Sequence, residues 1–124
     1  MPHIRVEYDE KVAGVFDRRG FAEGLHGALV EIVGGRAGGC KTRFLPLAET
    51  YIADGSDAYS MVHVEIGILH GRTPEARREL GEAVLGLLRK SVGATPGAEL
   101  QLSVDVRELD RETYVRYDRP AEEA

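Results

Sequence analysis

The sequence predicts an α+β fold in which two successive β-α-β units form a four-stranded sheet with both helices on one face. Two stripes of apolar residues have helical spacing, and each stripe lies between segments that alternate polar and apolar side chains. Parallel crossovers are right-handed, so both helices are expected on the same side of the sheet. The length of 124 residues suits one domain. We expect this domain over residues 1–118, with halves at about 1–58 and 59–118, followed by a polar tail at 119–124.

The first half begins with a predicted strand. Residues 3–8 alternate polar with apolar or aromatic side chains, as in a strand with one buried face. A helix is predicted between Asp17, a good N-cap, and Gly34, a typical stop. Its apolar stripe consists of Phe21, Leu25, Ala28, Leu29 and Ile32. A second strand is expected over residues 40–45, ended by Pro46, with another extended piece near 51–52.

The second half repeats this order. Residues 61–68 alternate valine and isoleucine with other residues and predict a strand. Thr73 is the expected N-cap of the next helix, with Pro74 at its first position and Glu75 in its first turn. The helix should end near 91–93, and its apolar stripe is Leu80, Val84, Leu87 and Leu88. A last strand is predicted over residues 100–106, with a short extended piece around 114–115.

One face of this sheet has no helix to cover it. If alternating apolar residues pointed to that face, the exposed patch would be larger than monomeric proteins usually show. We therefore expect copies of the chain to associate through this face.

The composition excludes several classes of function. The formal net charge is −5, with 21 acidic and 16 basic residues. A negatively charged chain of this kind is not expected to bind nucleic acid or an anionic membrane through its overall charge. The single cysteine, Cys40, cannot form an internal disulfide. No run approaches the roughly 18 apolar residues of a membrane span, and the start lacks the apolar region of a signal peptide. We expect a cytoplasmic protein with neither nucleic acid nor membrane as a partner.

Pro2 is the first candidate for chemistry. Methionine is readily removed before a small residue such as proline, which would leave a secondary amine at the start of the first strand. An α-amino group titrates near roughly 8, and burial or a neighbouring cation lowers its pKa. Pro2 could then act as a general base near neutral pH, although a proline at the second position is common and usually inert.

Three cations are candidates for substrate binding. Lys41 and Arg43 are two residues apart on the second strand and share one face, and Arg72 follows Gly71 just before the second helix. Arginine can bind both oxygens of a carboxylate, and a fixed cation also stabilises a developing enolate. These residues predict an anionic substrate, although lysine and arginine at such places are often solvated surface residues.

Three other motifs carry no comparable chemistry. The glycine-rich stretch 34–42 lacks the P-loop order, because Cys40 separates Gly39 from Lys41 and the stretch leads from a helix into a strand. The four histidines have no spacing typical of a metal site, so no metal is expected. Cys40 lacks the signature of a nucleophile, and we interpret it as a small buried apolar residue.

A set of short motifs along nearly the whole chain occurs together in one order. They are Met1-Pro2-His3, Val6-Glu7, Ala53-Asp54-Gly55, Val62-His63, Gly71-Arg72, Glu75, Arg77, Gly81-Glu82, Leu102-Ser103 and Glu108-Leu109. With these residues the chain resembles the tautomerase superfamily and, within it, the 5-carboxymethyl-2-hydroxymuconate delta-isomerase family.

The resemblance implies a homotrimer with active sites near subunit boundaries and with neither metal nor organic cofactor. It implies an isomerase of aromatic compound catabolism that moves a double bond in an unsaturated 2-hydroxy acid by proton transfer. Pro2 would be the general base, while Arg72 and Arg43 match arginines of the family. Lys41 stands where the family has arginine. Lysine cannot bind both oxygens of a carboxylate as arginine does, so the exact substrate is left undecided.

Two alternatives stay open. The same chemistry could act on another enol acid, such as a simpler 2-hydroxydienoate or an arylpyruvate enol. The chain could also be a non-catalytic trimeric binding or scaffold protein of the same fold. Retention of Met1 would favour the latter, because the nitrogen of Pro2 would then be an amide.

Overall fold

The computed structural model describes residues 1–122 as one four-stranded mixed sheet packed against two helices. Residues 123–124, the end of the predicted polar tail, lie outside the described part. The elements, in chain order, are β1 (His3–Asp9), α1 (Arg18–Val33), β2 (Lys41–Leu47), β3 (Tyr59–Leu69), α2 (Pro74–Ser91) and β4 (Glu99–Leu109). The strand order is β2-β1-β3-β4, with β1 parallel to β2, β3 parallel to β4, and the central pair β1 and β3 antiparallel. The predicted fold class is therefore confirmed.

The helix ends lie where the capping residues predict them. The Asp17 carboxylate accepts a hydrogen bond from the Gly20 amide at 3.0 Å, and α1 ends at Gly34 with φ of 68°. The Thr73 hydroxyl accepts from the Ala76 amide at 3.1 Å, immediately before Pro74. Local capping chemistry thus determines where each helix begins in the chain.

The core lies between the helices and one face of the sheet. Both predicted stripes contribute to it, although Val33 is buried in α1 while Ala28 and Ile32 are only partly buried. Burial of each such large apolar side chain contributes roughly 1.5–3 kcal/mol. The fully buried side chains include Phe21, Leu25, Leu29, Leu80, Val84, Leu88, Ile4, Val6, Val62, Val64 and Ile66.

Three predicted extended segments differ from the structure. β2 continues through Pro46 to Leu47, because β2 is an edge strand that tolerates a missing amide donor. Residues 51–52 and 114–115 belong to no strand, and Tyr114 instead contacts a side chain of β1. A short 3₁₀ helix at Glu10–Val15 was not predicted; its N-cap is Asp9, whose carboxylate accepts from the Lys11 amide at 3.0 Å.

The predicted apolar character of the uncovered sheet face is wrong. Each central strand has one apolar set of side chains, and the helices cover that set, so the other set faces away from them. Ion pairs form on the uncovered face, where the Arg107 guanidinium lies 2.7 Å from Asp105 and 3.7 Å from Glu65. The polar residues on this face include His3, Arg5, Glu7, Lys41, Arg43, His63, Glu65, Glu99, Gln101, Ser103, Asp105 and Arg107.

The antiparallel central pair determines which segments meet. His3 at the start of β1 pairs with Gly67 near the end of β3, while Lys41 at the start of β2 pairs with His3. We call this end of the sheet, where β1 and β2 begin and β3 and β4 finish, the Pro2 end. The segment after β3 carries Arg72 there, more than sixty residues away from Pro2 in sequence.

A second cavity of about 270 Å³ lies at the opposite end of the sheet, which we call the Ser60 end. Ser60 is 2% exposed, and its hydroxyl has no hydrogen-bond partner among the described residues. Lys11 lines the same cavity, and its ammonium group donates to the Tyr59 carbonyl at 3.1 Å. The other lining residues are Val12, Val15, Asp57, Ala94, Thr95, Pro96 and Ala98.

No helix within residues 1–122 combines the length and the apolar character needed to cross a membrane.

Candidate active site

A cavity of about 100 Å³ at the Pro2 end brings two of the predicted site residues together. Pro2 is buried in its wall, and Arg72 lies on the same wall, half-buried. The cavity is lined by Met1, Pro2, Val33, Gly34, Gly35, Arg36, Ile68, Leu69 and Arg72. None of these lining residues, all within the described range 1–122, is acidic, so the cavity suits an anion.

The amino terminus is held against the glycine-rich loop. The Met1 ammonium group donates to the Gly39 carbonyl at 2.9 Å. A side chain at Gly39 would come within 2.9 Å of the Met1 carbonyl oxygen, which explains why the loop has glycine there. Burial lowers the pKa of this ammonium group below its usual value, and the charges of Lys41 and Arg116 lower it further. An amine at this place is therefore more often in its free-base form than an ordinary amino terminus.

Arg72 is fixed by main-chain oxygens. Its guanidinium donates to the Val33 carbonyl from Nη2 at 2.8 Å and from Nε at 3.2 Å, and to the Leu69 carbonyl from Nη1 at 3.2 Å. Val33 ends α1, where the helix dipole is negative and the last carbonyls lack helical partners. The helix end and the end of β3 therefore hold a cation in a fixed orientation beside Pro2.

Lys41 lies beside the amino terminus without lining the cavity. Its ammonium group donates to the Gly39 carbonyl at 3.1 Å, the same oxygen that accepts from Met1. The Lys41 amide also donates to the Pro2 carbonyl at 3.1 Å, which ties the start of β2 to the start of β1. Lys41 thus acts on the amine through its charge.

Arg43 does not line the cavity that contains Pro2. Its guanidinium lies on the uncovered face, where Nη1 and Nη2 each donate to Nδ1 of His3 at 3.2 Å. Since a guanidinium only donates, His3 Nδ1 accepts and its Nε2 donates to the Tyr114 hydroxyl at 2.8 Å. Arg43, His3 and Arg5 line a wide depression of about 460 Å³ on this face. The predicted role of Arg43 in substrate binding stays a prediction.

Sequence reasoning missed several residues at the Pro2 end, namely Arg36, Arg116, Asp118 and Tyr114. Arg36 lies two residues after Gly34, the predicted end of the first helix. This position could have indicated a cation close to the segment that contains Lys41. The last three lie in a segment after β4 without regular periodicity, so no local pattern marks the contact of Tyr114 with β1 or that of Asp118 with Arg36.

The His3 imidazole is expected to titrate below the usual histidine pKa. Burial lowers the pKa of His3, and Arg43, the amino terminus and Lys41 add to the effect. The unfolded chain, with a histidine pKa near about 6.5, binds this proton more readily, so the contribution of His3 to stability is lost as the pH falls below about 6.5. NMR titration of the ring nitrogens measures this directly, and Arg43→Gln should raise the value. A His3 pKa at or above that of an unfolded histidine would contradict the assignment.

The remaining candidates add no chemistry at this site. Burial raises the pKa of the Cys40 thiol, which also donates to the Arg36 carbonyl at 3.4 Å. Such a thiol is a poor nucleophile. Within residues 1–122, no group of three or more histidine, cysteine, aspartate or glutamate side chains is placed to hold a metal ion.

Comparison with known sequences decides the family. Residues 2–119 match the family of 5-carboxymethyl-2-hydroxymuconate isomerases. The chain belongs to this family. It is therefore an isomerase of the tautomerase superfamily, and the resemblance seen in the sequence is confirmed. Comparison with curated proteins gives no significant match.

Solved structures agree with the family assignment. A 5-carboxymethyl-2-hydroxymuconate isomerase from Deinococcus radiodurans R1 is 25% identical with a TM-score of 0.84, over 95% of this chain and 90% of that one. A 5-carboxymethyl-2-hydroxymuconate delta-isomerase is 21% identical with a TM-score of 0.70, over 99% and 96% of the two chains. A fused 4-OT described as a symmetric trimer is 18% identical with a TM-score of 0.71, over 89% and 87%. The last two likenesses show the fold of the family.

Proposed function

We propose that this isomerase moves a proton and a double bond in an unsaturated 2-hydroxy carboxylic acid such as 5-carboxymethyl-2-hydroxymuconate, with Pro2 as the general base. The observation that carries the proposal is the shared cavity of Pro2 and Arg72. The name of the Deinococcus radiodurans relative supports this substrate class. The reaction belongs to the breakdown of aromatic compounds and takes place in the cytoplasm.

The reaction begins once Met1 has been removed and the Pro2 nitrogen is a secondary amine. This nitrogen takes the proton of the substrate's 2-hydroxyl group. The oxygen electrons form the 2-oxo double bond, the diene electrons shift along the chain, and the far diene carbon receives a proton. Pro2 returns the proton that it took, so no redox cofactor is needed and atoms and charge balance.

Arg72 is the group that binds the acid beside the reacting enol. Its guanidinium is fixed by the Val33 and Leu69 carbonyls, so little reorganisation is needed when negative charge develops on the substrate oxygen. Lys41 adds a positive charge near the base and keeps the amine free of a proton. As a point charge it binds a carboxylate without the fork of an arginine.

We further propose that the isomerase is a homotrimer assembled through the uncovered sheet face. The symmetric trimer of the fused 4-OT relative supports this assembly, and the ion pairs of Arg107 show that the face holds fixed charges suited to a polar interface. Arg43 would then lie at a subunit boundary and bind substrate from there. Light scattering of the eluting protein should give three times the chain mass of 13.6 kDa, and the mass of a monomer would overturn the assembly.

The test of the function is ultraviolet-monitored isomerisation of 5-carboxymethyl-2-hydroxymuconate by protein whose amino terminus has been verified by intact mass. A preparation with an amino-terminal tag is the matched control, because its Pro2 nitrogen is an amide. Turnover by the processed protein alone is expected. Equal turnover by both preparations would overturn the role of Pro2.

A simpler enol acid is the second candidate substrate. Lys41 replaces an arginine of the family pattern, which removes one bidentate contact with a carboxylate. Turnover of 2-hydroxypenta-2,4-dienoate or an arylpyruvate enol in the same assay, without turnover of the tricarboxylate, would select this candidate.

A further inference from the structure

The segment after β4, residues 110–118, begins at the Pro2 end of the sheet and there contacts the start of β1. A turn begins it, in which the Asp110 carbonyl accepts from the Tyr114 amide at 3.0 Å. The Tyr114 hydroxyl is 2.8 Å from His3 Nε2, and the two rings meet edge to face at 5.7 Å between centroids. This contact brings the following residues to the amino terminus.

Two arginines converge there on one carboxylate. Oδ2 of Asp118 lies 3.3 Å from Nη2 of Arg116 and 3.6 Å from Nη2 of Arg36. Arg36 comes from the loop after α1 and lines the cavity that contains Pro2 and Arg72. The described structure thus already shows a single carboxylate held between two guanidinium groups at the rim of the proposed active site.

Several cations lie around the amino terminus, and one carboxylate, Asp118, lies among them. Arg36, Lys41, Arg72 and Arg116 gather at the Pro2 end of a chain whose formal net charge is −5. Arg116 is close enough to the terminal amine to lower its pKa by its charge. The Arg36 and Arg116 side chains are 66% and 43% exposed, so both can reach an incoming ligand. Asp118 offsets only part of the positive charge of these cations, so the cluster attracts an anion with several carboxylates.

We propose that Arg36 and Arg116 are specificity-determining residues that bind the substrate carboxylate remote from the reacting enol. This inference rests on the proposed function and deepens it, because it selects polycarboxylates over monocarboxylates. Arg72 holds the acid beside the enol, while the pair formed by Arg36 and Arg116 binds a second carboxylate where Asp118 now lies. The chemical class selected is an unsaturated 2-hydroxy acid with two or three carboxylates.

Steady-state kinetics of Arg36→Gln and Arg116→Gln on two substrates test this inference. With 5-carboxymethyl-2-hydroxymuconate, each variant should lose about 10- to 100-fold in kcat/KM, as expected when one charge-assisted hydrogen bond is removed. With the monoacid 2-hydroxypenta-2,4-dienoate, the loss should stay below about threefold. Arg119→Gln is the matched control, since Arg119 lies in the same part of the chain and stacks on Tyr117.

A binding measurement separates this inference from the proposed function. Calorimetric titration with propane-1,2,3-tricarboxylate needs no turnover, and its Kd should rise about tenfold in Arg116→Gln but not in Arg119→Gln. If the Kd values differ in this way but no Pro2-dependent turnover is found, the proposed function is overturned while the role of Arg36 and Arg116 in binding stands. Equal Kd values in all variants, or equal kinetic losses on both substrates, would overturn the role of Arg36 and Arg116.

Discussion

Pro2→Ala is expected to lower kcat on the dienol acid at least about 100-fold, with little change in the free energy of unfolding. A general base contributes roughly 10²- to 10⁴-fold to a proton transfer, and the lower end applies because alanine keeps a primary amine after Met1 is removed. The Pro2 carbonyl, which accepts from the Lys41 amide at 3.1 Å, is retained in the variant. Stopped-flow absorbance for turnover and chemical denaturation for stability measure the two quantities.

Pro46→Ala is the matched control for this substitution. Pro46 lies on the edge strand β2 with its side chain exposed, so its loss should leave turnover unchanged. The pH profile gives a further check, because kcat/KM should rise with pH as the terminal amine of Pro2 loses its proton. Turnover of Pro2→Ala equal to that of the unaltered protein would contradict a base at this position.

Arg72→Ala is expected to damage both catalysis and stability. Loss of the fixed guanidinium should lower kcat about 10²-fold, the usual cost of one donor that stabilises a developing oxyanion. The Val33 and Leu69 carbonyls would also lose their partner, which costs about 1–3 kcal/mol in the free energy of unfolding. Steady-state kinetics and urea denaturation measure these effects on the same preparation.

Arg78→Ala removes a cation of α2 without touching the site. Its guanidinium pairs with Glu82 at 3.0 Å, and both side chains are largely exposed, so the expected cost is below about 1 kcal/mol. Arg72→Lys keeps the charge but lacks the planar fork that makes three hydrogen bonds to the two carbonyls, so it should recover stability less than substrate binding. If Arg72→Ala keeps full kcat and loses stability alone, Arg72 is a structural residue rather than part of the chemistry.

The fold could be predicted from the sequence because its determinants are local. Asp17 and Thr73 cap the helices, and alternation within β1 and β3 separates the buried set from the exposed set. The uncovered face was wrongly predicted to be apolar. Each central strand has only one set of apolar side chains, and that set packs against the helices. Alternation along a strand indicates which residues share a face. The polar side chains of His3 and Arg5 indicate which of the two faces is not covered by the helices.

The candidate site was predicted only in part. Pro2 and Arg72 were found from residue type and position, and the antiparallel pairing of β1 with β3 explains why they meet. The contact of Tyr114 with His3 spans 111 residues and follows no periodic pattern. Pairing of distant irregular segments depends on tertiary packing, so Arg116 and Asp118 could be found only in three dimensions.

The cavity at the Ser60 end is an internal counterpart of the cavity at the Pro2 end, which is the candidate active site. The two halves are related by an approximate twofold arrangement in which the start of β3 takes the place of the start of β1. The loop 94–98 after α2 then corresponds to the loop 34–39 after α1, and Lys11 to the segment that follows β3. Ser60, however, lies in the middle of a continuous polypeptide, so its nitrogen is a peptide amide that cannot accept a proton. The general base that we propose at the Pro2 end therefore has a counterpart in position, but not in chemistry, at the Ser60 end.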